Sequence, residues 1–438
     1  MDIDKTTFSD LSIFHHEEEY SIFHKLNFTR TRGGKDRLIK FFSEPFNDVK
    51  RITDTHKIIL TIIEKEAEWP MEISNGTVMV IERFYETSVD NIPDSANLMN
   101  ATTYRLLHSP DFSLLRYSLS HFADFFRGFS AIISLFDHKE TPAHLRSFIH
   151  RARDLMKDQH IRKLADHSGG KKFSARNTLY FGHYLRNRYK GTALELIAIY
   201  SRLDAWYSMA MAVKKFGLTL PEFVPTSVPL VEVKGLYHIL IDSPTAYDIK
   251  LEPDNNFIFL TGANMAGKST FIKSVGAAVY LANIGMGVPA KEMRLSMFDG
   301  ILSNINVVDN IVKGESYFFN EVQRIKNTII KITDGRKWLV LIDELFKGTN
   351  VQDAMKCSLT VIEGLLKIKN SLFILSTHLY EIGDDLKVFP KISFRYFETN
   401  VKDDQLEFSY QLKEGISNDR LGYLILRREK VVDLLERI

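Results

Sequence analysis

The sequence has one cysteine and no long apolar run, and each shortage excludes a class of protein. A single cysteine, Cys357, cannot form an internal disulfide and suits a reducing cytoplasm. No run of about 18 apolar residues occurs, so we expect no membrane-spanning helix and no membrane partner. The acidic, polar start MDIDKTTFSD is not that of a signal peptide. These shortages predict a cytoplasmic globular protein, and 438 residues allow two or three domains.

Residues 1 to about 230 predict a mainly helical region, because long charged and apolar segments continue there with few turn signals. The clearest segment has apolar residues at alternating steps of three and four, which is the buried seam of a long helix. These seam residues are Leu196, Ile199, Leu203, Trp206, Ala210 and Val213. A proline-rich stretch at 218–230 then predicts a helix stop and a linker, because proline removes a backbone donor.

After residue 230, apolar β-prone runs alternate with helical ones, which predicts an α/β domain. The predicted strands are 237–242, 257–262, 338–344 and 371–378, followed by a closing β region at 391–415.

The segment TGANMAGKST, residues 261–270, has the G-x-x-x-x-G-K-[ST] spacing of a phosphate-binding loop. In such loops the backbone N–H groups surround the phosphates, the lysine reaches the outer phosphates and the next hydroxyl binds Mg²⁺. A β-prone run before it and a helical run after it supply the required context. We therefore predict a site for ATP and Mg²⁺. The predicted ATP-binding residues are Gly262, Ala263, Asn264, Met265, Ala266, Gly267, Lys268, Ser269 and Thr270.

Two carboxylates, Asp343 and Glu344, follow the apolar run 339–342. This run is too apolar for a solvated strand, so both acids are expected at the tip of a buried strand. There Asp343 would hold Mg²⁺ together with Ser269, and Glu344 would polarise the attacking water as general base. His378 ends another apolar run, and we expect it to sense the γ-phosphate.

The segment VKGESYFFNEV, residues 312–322, predicts a second anion site. Gly314 and Ser316 precede a helical stretch, whose first N–H groups and the Ser316 hydroxyl would face an anion. In ATPases that dimerise head to tail, such a site closes on the γ-phosphate held by the other subunit. We therefore expect Ser316 to act in trans.

Positive charge is concentrated in residues 143–190, which contain twelve Lys and Arg against three Asp. Phe and Tyr alternate with these basic residues, and a Ser-Gly-Gly turn interrupts them. The phosphate backbone of nucleic acids binds such surfaces, whereas the alternative is a solvated helix face without a ligand. We predict DNA contact through Lys171, Lys172 and Arg176.

The ordered motifs between Phe257 and His378 resemble the ATPase domain of the MutS mismatch-repair proteins, a branch of the ABC-type ATPases. TGANMAGKST is similar to that family's TGPNMGGKST, GESYFFNE (314–321) to its GxSTFMxE signature, and DELFKGT (343–349) to its DELGRGT. In the helical half, four residues match the motif with which the family's core domain begins. They are Arg37, Leu38, Pro45 and Phe46.

The resemblance implies an all-helical core and lever region, residues 1–230, with a short basic clamp-like tip near 143–190. It implies that residues 231–438 form an ABC-type P-loop NTPase α/β domain. Because the core-like segment starts within the first twenty residues, the expected protein is a short form without the mismatch-recognition and connector domains.

The resemblance also implies DNA-dependent ATP hydrolysis at composite sites of a homodimer that clamps duplex or branched DNA. The process would be mismatch repair or a related DNA transaction, with other repair proteins as partners. The implied catalytic residues are Glu344, Asn264, His378, Lys268 and, in trans, Ser316.

Two other functions stay open. The chain could be an ATP-switched binder of branched DNA or structured RNA without mismatch recognition. It could also be a non-hydrolysing scaffold for another MutS-like subunit, which the intact Asp343–Glu344 pair disfavours. A transporter ATPase is disfavoured because the signature is not of the LSGGQ type.

Overall fold

The computed structural model describes residues 1–167, 172–305, 317–402 and 405–417, together with Val431 and Leu434. Its contacts divide the chain into two units. One unit, here called the ATPase-like unit, contains Met1–Lys25, Pro45–Ile52 and the chain from Lys215 onward. The other, here called the helical unit, contains Leu26–Glu44 and Thr53–Lys214. The division after residue 230 stays a prediction.

Helices dominate the first half of the chain, as the sequence predicts. The α-helices there are α1 (Lys5–Asp10), α2 (Ile22–Lys25), α3 (Arg32–Ser43), α4 (Val49–Glu64), α5 (Asn75–Glu86), α6 (Leu98–Leu107), α7 (Ser109–Phe136), α8 (Ala143–Leu155), α9 (Gln159–Ala165), α10 (Ala175–Arg188) and α11 (Lys190–Phe216). Two short 3₁₀ helices span Glu18–Tyr20 and Glu66–Glu68. The later helices are α12 (Lys268–Asn283), α13 (Tyr317–Ile332), α14 (Val351–Leu365) and α15 (Ile382–Leu386).

The strands belong to the ATPase-like unit, which confirms the α/β character predicted for the second half of the chain. They are β1 (Asp2–Ile3), β2 (Glu222–Phe223), β3 (Val231–Leu236), β4 (Tyr247–Leu251), β5 (Phe257–Thr261), β6 (Glu292–Leu295), β7 (Gly300–Asn304), β8 (Trp338–Asp343), β9 (Ser371–Ser376), β10 (Ile392–Lys402) and β11 (Gln405–Glu414).

Within the described residues, the strands form one sheet of seven and one of four. The larger sheet has the order β1-β7-β8-β9-β5-β10-β11, parallel except for the antiparallel pair β10–β11. The smaller sheet has the order β2-β6-β3-β4 and is mixed. Every residue of β5, β8 and β9 is buried, which is the expected pattern for central strands covered on both faces.

The predicted seam of the long helix is confirmed. All six seam residues lie on α11 and are buried. The buried surface of α11 is wider than the seam, because Tyr200, Asp204 and Ser208 are also buried.

Asp204 shows why a charged residue sits on this buried surface. It accepts hydrogen bonds from the backbone N–H of Arg30 (3.0 Å) and Thr31 (2.9 Å) and from the Thr31 hydroxyl (2.7 Å). Thr31 caps α3 by accepting from the N–H of Gly34 at 3.0 Å. The buried carboxylate therefore fixes the start of α3 within the helical unit, since buried polar groups need partners.

The strand predicted at 237–242 is wrong. Strand β3 ends at Leu236, and the chain then turns, with Ile241 donating its N–H to the carbonyl of His238 at 3.1 Å. Tyr237 donates its own N–H to the carbonyl of Pro289 at 3.0 Å. The apolar residues of this run therefore lie in a turn, which periodicity alone does not distinguish from a strand.

Among the residues that the structure describes, no helix has the length and apolar character needed to cross a membrane.

Candidate functional site

The loop between β5 and α12 carries the predicted phosphate-binding motif, and two of its glycines have a left-handed backbone. Gly262 has φ +141° and Gly267 has φ +109°, values that side chains with a Cβ rarely adopt. Gly267 directly precedes the first residue of α12. The loop therefore leads straight into a helix N-terminus, where unpaired N–H groups and the helix dipole favour an anion.

Lys268 is the buried cation of this loop. Its Nζ donates to the carbonyl oxygens of Gly262 (2.8 Å) and Ala263 (2.9 Å). Burial lowers the pKa of Lys268 to about 8, although the nearby carboxylates of Glu344 and Asp343 act to raise it. The ammonium thus rests on loop carbonyls, which an incoming anion could replace as partners.

Asp343, at the end of β8, joins the loop to the neighbouring strand. Ser269 Oγ donates to Asp343 Oδ2 at 2.5 Å, and Ser376 Oγ donates to Asp343 Oδ1. Ser269 lies in the first turn of α12 and Ser376 ends β9. The parallel order β8-β9-β5 brings these ends together at one edge of the sheet, where α/β sheets place their ligands.

A hydroxyl and a carboxylate side by side are a suitable donor set for Mg²⁺. Magnesium prefers hard oxygen ligands and usually keeps several waters, so one or two protein oxygens suffice. Ser269 and Asp343 supply such oxygens next to the phosphate-binding motif. The chemistry of these two side chains fits the ion, and their role as metal ligands stays a prediction.

The Glu344 carboxylate lies between an imidazole and an ammonium. Its Oε1 is 2.9 Å from His378 Nε2, and its Oε2 is 3.0 Å from Lys347 Nζ. Burial acts to raise the pKa of Glu344, but the hydrogen bonds from His378 and Lys347 outweigh it and lower the pKa from 4.5 to about 2. The stability from these contacts is therefore present above pH of about 4.5 and is lost as the pH falls toward 2.

Lys268, Ser269 and Glu344 border a cavity of about 470 Å³ in the ATPase-like unit. One wall is the glycine-rich loop with the start of α12, and Glu344 also lines the cavity. The other wall consists of residues that no sequence motif marked. Those residues are Ile241, Ser243, Pro244, Thr245, Tyr247 and Tyr410.

The structure brings most predicted site residues together. Of the predicted ATP-binding residues, Ala263, Asn264, Met265, Gly267, Lys268, Ser269 and Thr270 line the cavity. Gly262 and Ala266 belong to the same loop, and His378 Nε2 stands 3.4 Å from Lys268 Nζ.

The predicted trans residue and the predicted DNA-contact residues are not among the side chains seen at the cavity. Ser316 and Lys171 lie outside the described residues. Lys172 and Arg176 are exposed residues of the helical unit, where Arg176 Nε donates to the Ala96 carbonyl at 3.1 Å. Their predicted roles stay predictions.

Sequence reasoning missed Lys347, Ser376 and Tyr410. A basic residue three positions after Glu344 was a usable signal for Lys347, and a hydroxyl at the end of an apolar run was one for Ser376. Tyr410 gave no such signal, because it reaches the loop only through the pairing of β11 with β10 and of β10 with β5. Its ring lies against Gly267.

The loop that follows Glu344 is packed closely against the start of α13. Phe346 is buried, and its ring centroid lies 5.7 Å from that of Phe318. A Cβ placed on Gly348 would stand 2.7 Å from the backbone nitrogen of Phe318 and 2.8 Å from the ring of Tyr317. Only glycine therefore fits at position 348 without displacing α13.

The family model of MutS domain V matches residues 258–432 of the chain. The DNA mismatch repair protein MutS of Petrotoga mobilis is 29% identical over 241 residues, which cover 54% of this chain and 29% of that protein. Its Thermotoga maritima counterpart is 28% identical over 250 residues, covering 56% of this chain and 31% of that protein. The DNA mismatch repair protein msh3 of Aspergillus fumigatus is 28% identical over 259 residues, covering 54% and 23%.

The matched part of the chain therefore covers less than a third of the length of each of these curated relatives. The match to domain V covers the loop, the Asp343–Glu344 pair and His378.

We predict that Gly348→Ala lowers the free energy of unfolding by about 1–3 kcal/mol, because its Cβ would overlap backbone atoms of α13. The matched control is Gly364→Ala on α14, where a Cβ meets nothing within 4 Å. The control should be neutral or stabilising by up to about 1 kcal/mol. Urea denaturation followed by tryptophan fluorescence measures both, and equal effects would contradict the close packing at position 348.

Proposed function

We propose a function from the premise that this chain belongs to the MutS family, through its match to domain V. The chain is an ATPase whose nucleotide cycle is coupled to DNA binding, in mismatch repair or a related DNA transaction. The observation that carries this proposal is the position of Glu344, held between His378 and Lys347 beside the glycine-rich loop. A binding module alone has no need for a carboxylate at this place.

ATP occupies the cavity with its phosphates in the loop. Backbone N–H groups at the start of α12 donate to the phosphate oxygens, as at other helix N-termini. The Lys268 ammonium exchanges the carbonyls of Gly262 and Ala263 for the outer phosphates. Ser269 and Asp343 would hold Mg²⁺, which would neutralise charge at the phosphates.

Glu344 is the general base. At neutral pH its carboxylate is ionised, so it can accept the proton of the attacking water. A pKa of about 2 makes it a weak base while His378 and Lys347 both contact it. The negative γ-phosphate would compete for His378, which also stands 3.4 Å from Lys268 Nζ, and removal of the imidazole from the carboxylate raises the pKa of Glu344. Lys347 keeps its contact with Oε2 and holds the carboxylate in place.

Asn264 and His378 position the water or sense the γ-phosphate, the former from an exposed place on the cavity wall. Ser316 acts at the site of the other subunit in a homodimer. The contacts around the loop support the cis residues, whereas the trans role rests on the resemblance of GESYFFNE to the family signature.

DNA contacts the basic surface of the helical unit at Lys171, Lys172 and Arg176. Support comes from the charge excess in residues 143–190 and from the exposure of Lys172 and Arg176. Such side chains contact phosphates, so binding is expected to depend on salt and little on sequence.

Steady-state ATPase without DNA and with a homoduplex, a mismatched duplex or a four-way junction tests the coupling to DNA. We expect duplex DNA to change the turnover rate. Stimulation by junctions but equally by matched and mismatched duplex would favour the branched-DNA alternative. No hydrolysis in a single-turnover assay would favour the scaffold alternative.

We predict that Glu344→Gln binds ATP normally but hydrolyses it at least about a hundredfold more slowly, because an amide cannot accept the proton of the water. Lys268→Ala, the companion variant, should lose tight ATP binding, since charge-assisted hydrogen bonds to phosphate contribute about 1.5–3 kcal/mol each. Fluorescent-nucleotide titration and phosphate release measure the two steps separately. Normal turnover by Glu344→Gln would place the base elsewhere.

We predict that changing Lys171, Lys172 and Arg176 together to Glu weakens binding to every duplex by a similar factor. The slope of log affinity against log salt should become shallower by about 0.9 for each phosphate that the protein no longer neutralises. A control with the same change of charge replaces Lys356, Lys367 and Lys369, which are exposed on the ATPase-like unit. If both triple variants lose DNA affinity equally, the loss is explained by the change in net charge alone, which would contradict a specific DNA-binding surface.

A further inference from the structure

Glu321 is a buried acid of the ATPase-like unit that the proposed ATPase mechanism does not use. It lies on α13, close to the first residue of the helix, and only 4% of it is exposed. Its Oε1 accepts from the backbone N–H of Lys347 and its Oε2 from that of Gly348, both at 3.2 Å. Burial raises the pKa of Glu321, against these backbone bonds, which lower it. The Glu321 carboxylate thus joins α13 by hydrogen bonds to the loop that follows the proposed general base in the sequence.

That loop has a backbone that needs such support. Glu344 and Phe346 have φ of +65° and +58°, left-handed values that are uncommon for residues with a Cβ. Conformations of this kind persist where surrounding contacts hold them. Here the contacts are the two hydrogen bonds to Glu321 and the packing of Phe346 on Phe318.

The same loop presents Lys347 to the base. Lys347 gives its backbone N–H to Glu321 and its ammonium to Glu344 Oε2 at 3.0 Å. The position of this ammonium therefore depends on the α13 contact, and the ammonium in turn contacts the Glu344 carboxylate. A continuous series of contacts runs from α13 to the carboxylate at the cavity.

We propose that Glu321 is a positioning residue for ATP hydrolysis, fixing the loop that holds Lys347 against Glu344. The proposal rests on the proposed ATPase function and extends it.

The first test measures the hydrogen bonds directly in the nucleotide-free protein. In Glu321→Ala, amide hydrogen exchange at Lys347 and Gly348 should accelerate by at least about tenfold, because both N–H groups lose their acceptor. Thr328→Ala is the matched control, since Thr328 lies on the same helix and accepts a buried hydrogen bond from Asn304 at 3.1 Å. Unchanged amide exchange rates at Lys347 and Gly348 in Glu321→Ala would contradict the proposed role of the Glu321 hydrogen bonds.

The second test separates positioning from general stability by kinetics. Glu321→Ala should lower kcat by at least about tenfold while KM and ATP affinity stay within about twofold. Thr328→Ala should leave kcat near that of the wild type. Glu321→Gln keeps the size of the side chain and one acceptor oxygen, so it should fold as well as the wild type and show an intermediate kcat. A wild-type kcat in both Glu321 variants would overturn the proposal.

The third test asks whether the effect passes through Lys347. Lys347 Nζ contacts Glu344 Oε2 at 3.0 Å, so its loss removes the contact through which the loop holds the carboxylate in place. Lys347→Met should therefore lower kcat while KM and ATP affinity stay within about twofold, as in Glu321→Ala. The double variant should be no slower than Lys347→Met, whereas multiplicative decreases in kcat would overturn the proposed route.

Turnover by the wild type distinguishes failure of this proposal from failure of the proposed function. A wild-type protein that does not hydrolyse ATP would overturn both. Normal wild-type turnover with unaffected Glu321 variants would overturn only the role of Glu321.

Discussion

The candidate site depends on the two hydrogen bonds that the carboxylate of Asp343 accepts. This carboxylate is buried and accepts from Ser269 in the first turn of α12 and from Ser376 at the end of β9, while Asp343 itself ends β8. Three segments far apart in the sequence are thereby fixed at one edge of the sheet. A buried carboxylate needs such partners, because its desolvation is costly without them. The same oxygens are those that a magnesium ion requires, so one residue serves both the fold and the proposed chemistry.

Around this point, cationic and anionic side chains are balanced at close range. Lys268 is buried near both carboxylates, and Glu344 contacts His378 and Lys347. Burial disfavours charge on Lys268 and on Glu344, yet the contacts of Glu344 keep it ionised and lower its pKa to about 2. A triphosphate adds several negative charges to this balance. In the proposed function, His378 would then redistribute between carboxylate and phosphate, so nucleotide binding would have a direct electrostatic effect on Glu344.

Local patterns predicted the parts of this protein that depend on local chemistry. The seam of α11 and the strands β5, β8 and β9 follow from apolar spacing, and the glycine-rich loop follows from its own ten residues. The run at 237–242 was predicted wrongly, because the hydrogen bond from Ile241 to His238 closes a turn that apolar content does not reveal. Tyr410 and the role of Glu321 depend on strand pairing and helix packing between distant segments, so no local spacing could predict them.

Unusual backbone conformations are concentrated around the cavity. Among the described residues other than glycine, five have a left-handed φ, and Met265, Glu344 and Tyr410 of these five line the cavity. Phe346 follows closely after Glu344 and packs on α13. Such conformations cost about 1–3 kcal/mol each unless surrounding contacts impose them, and they are typical of sites that bind or react. The loops that meet at this cavity are thus held in shapes they would not adopt alone, and the helix contact through Glu321 is one of the means that hold them.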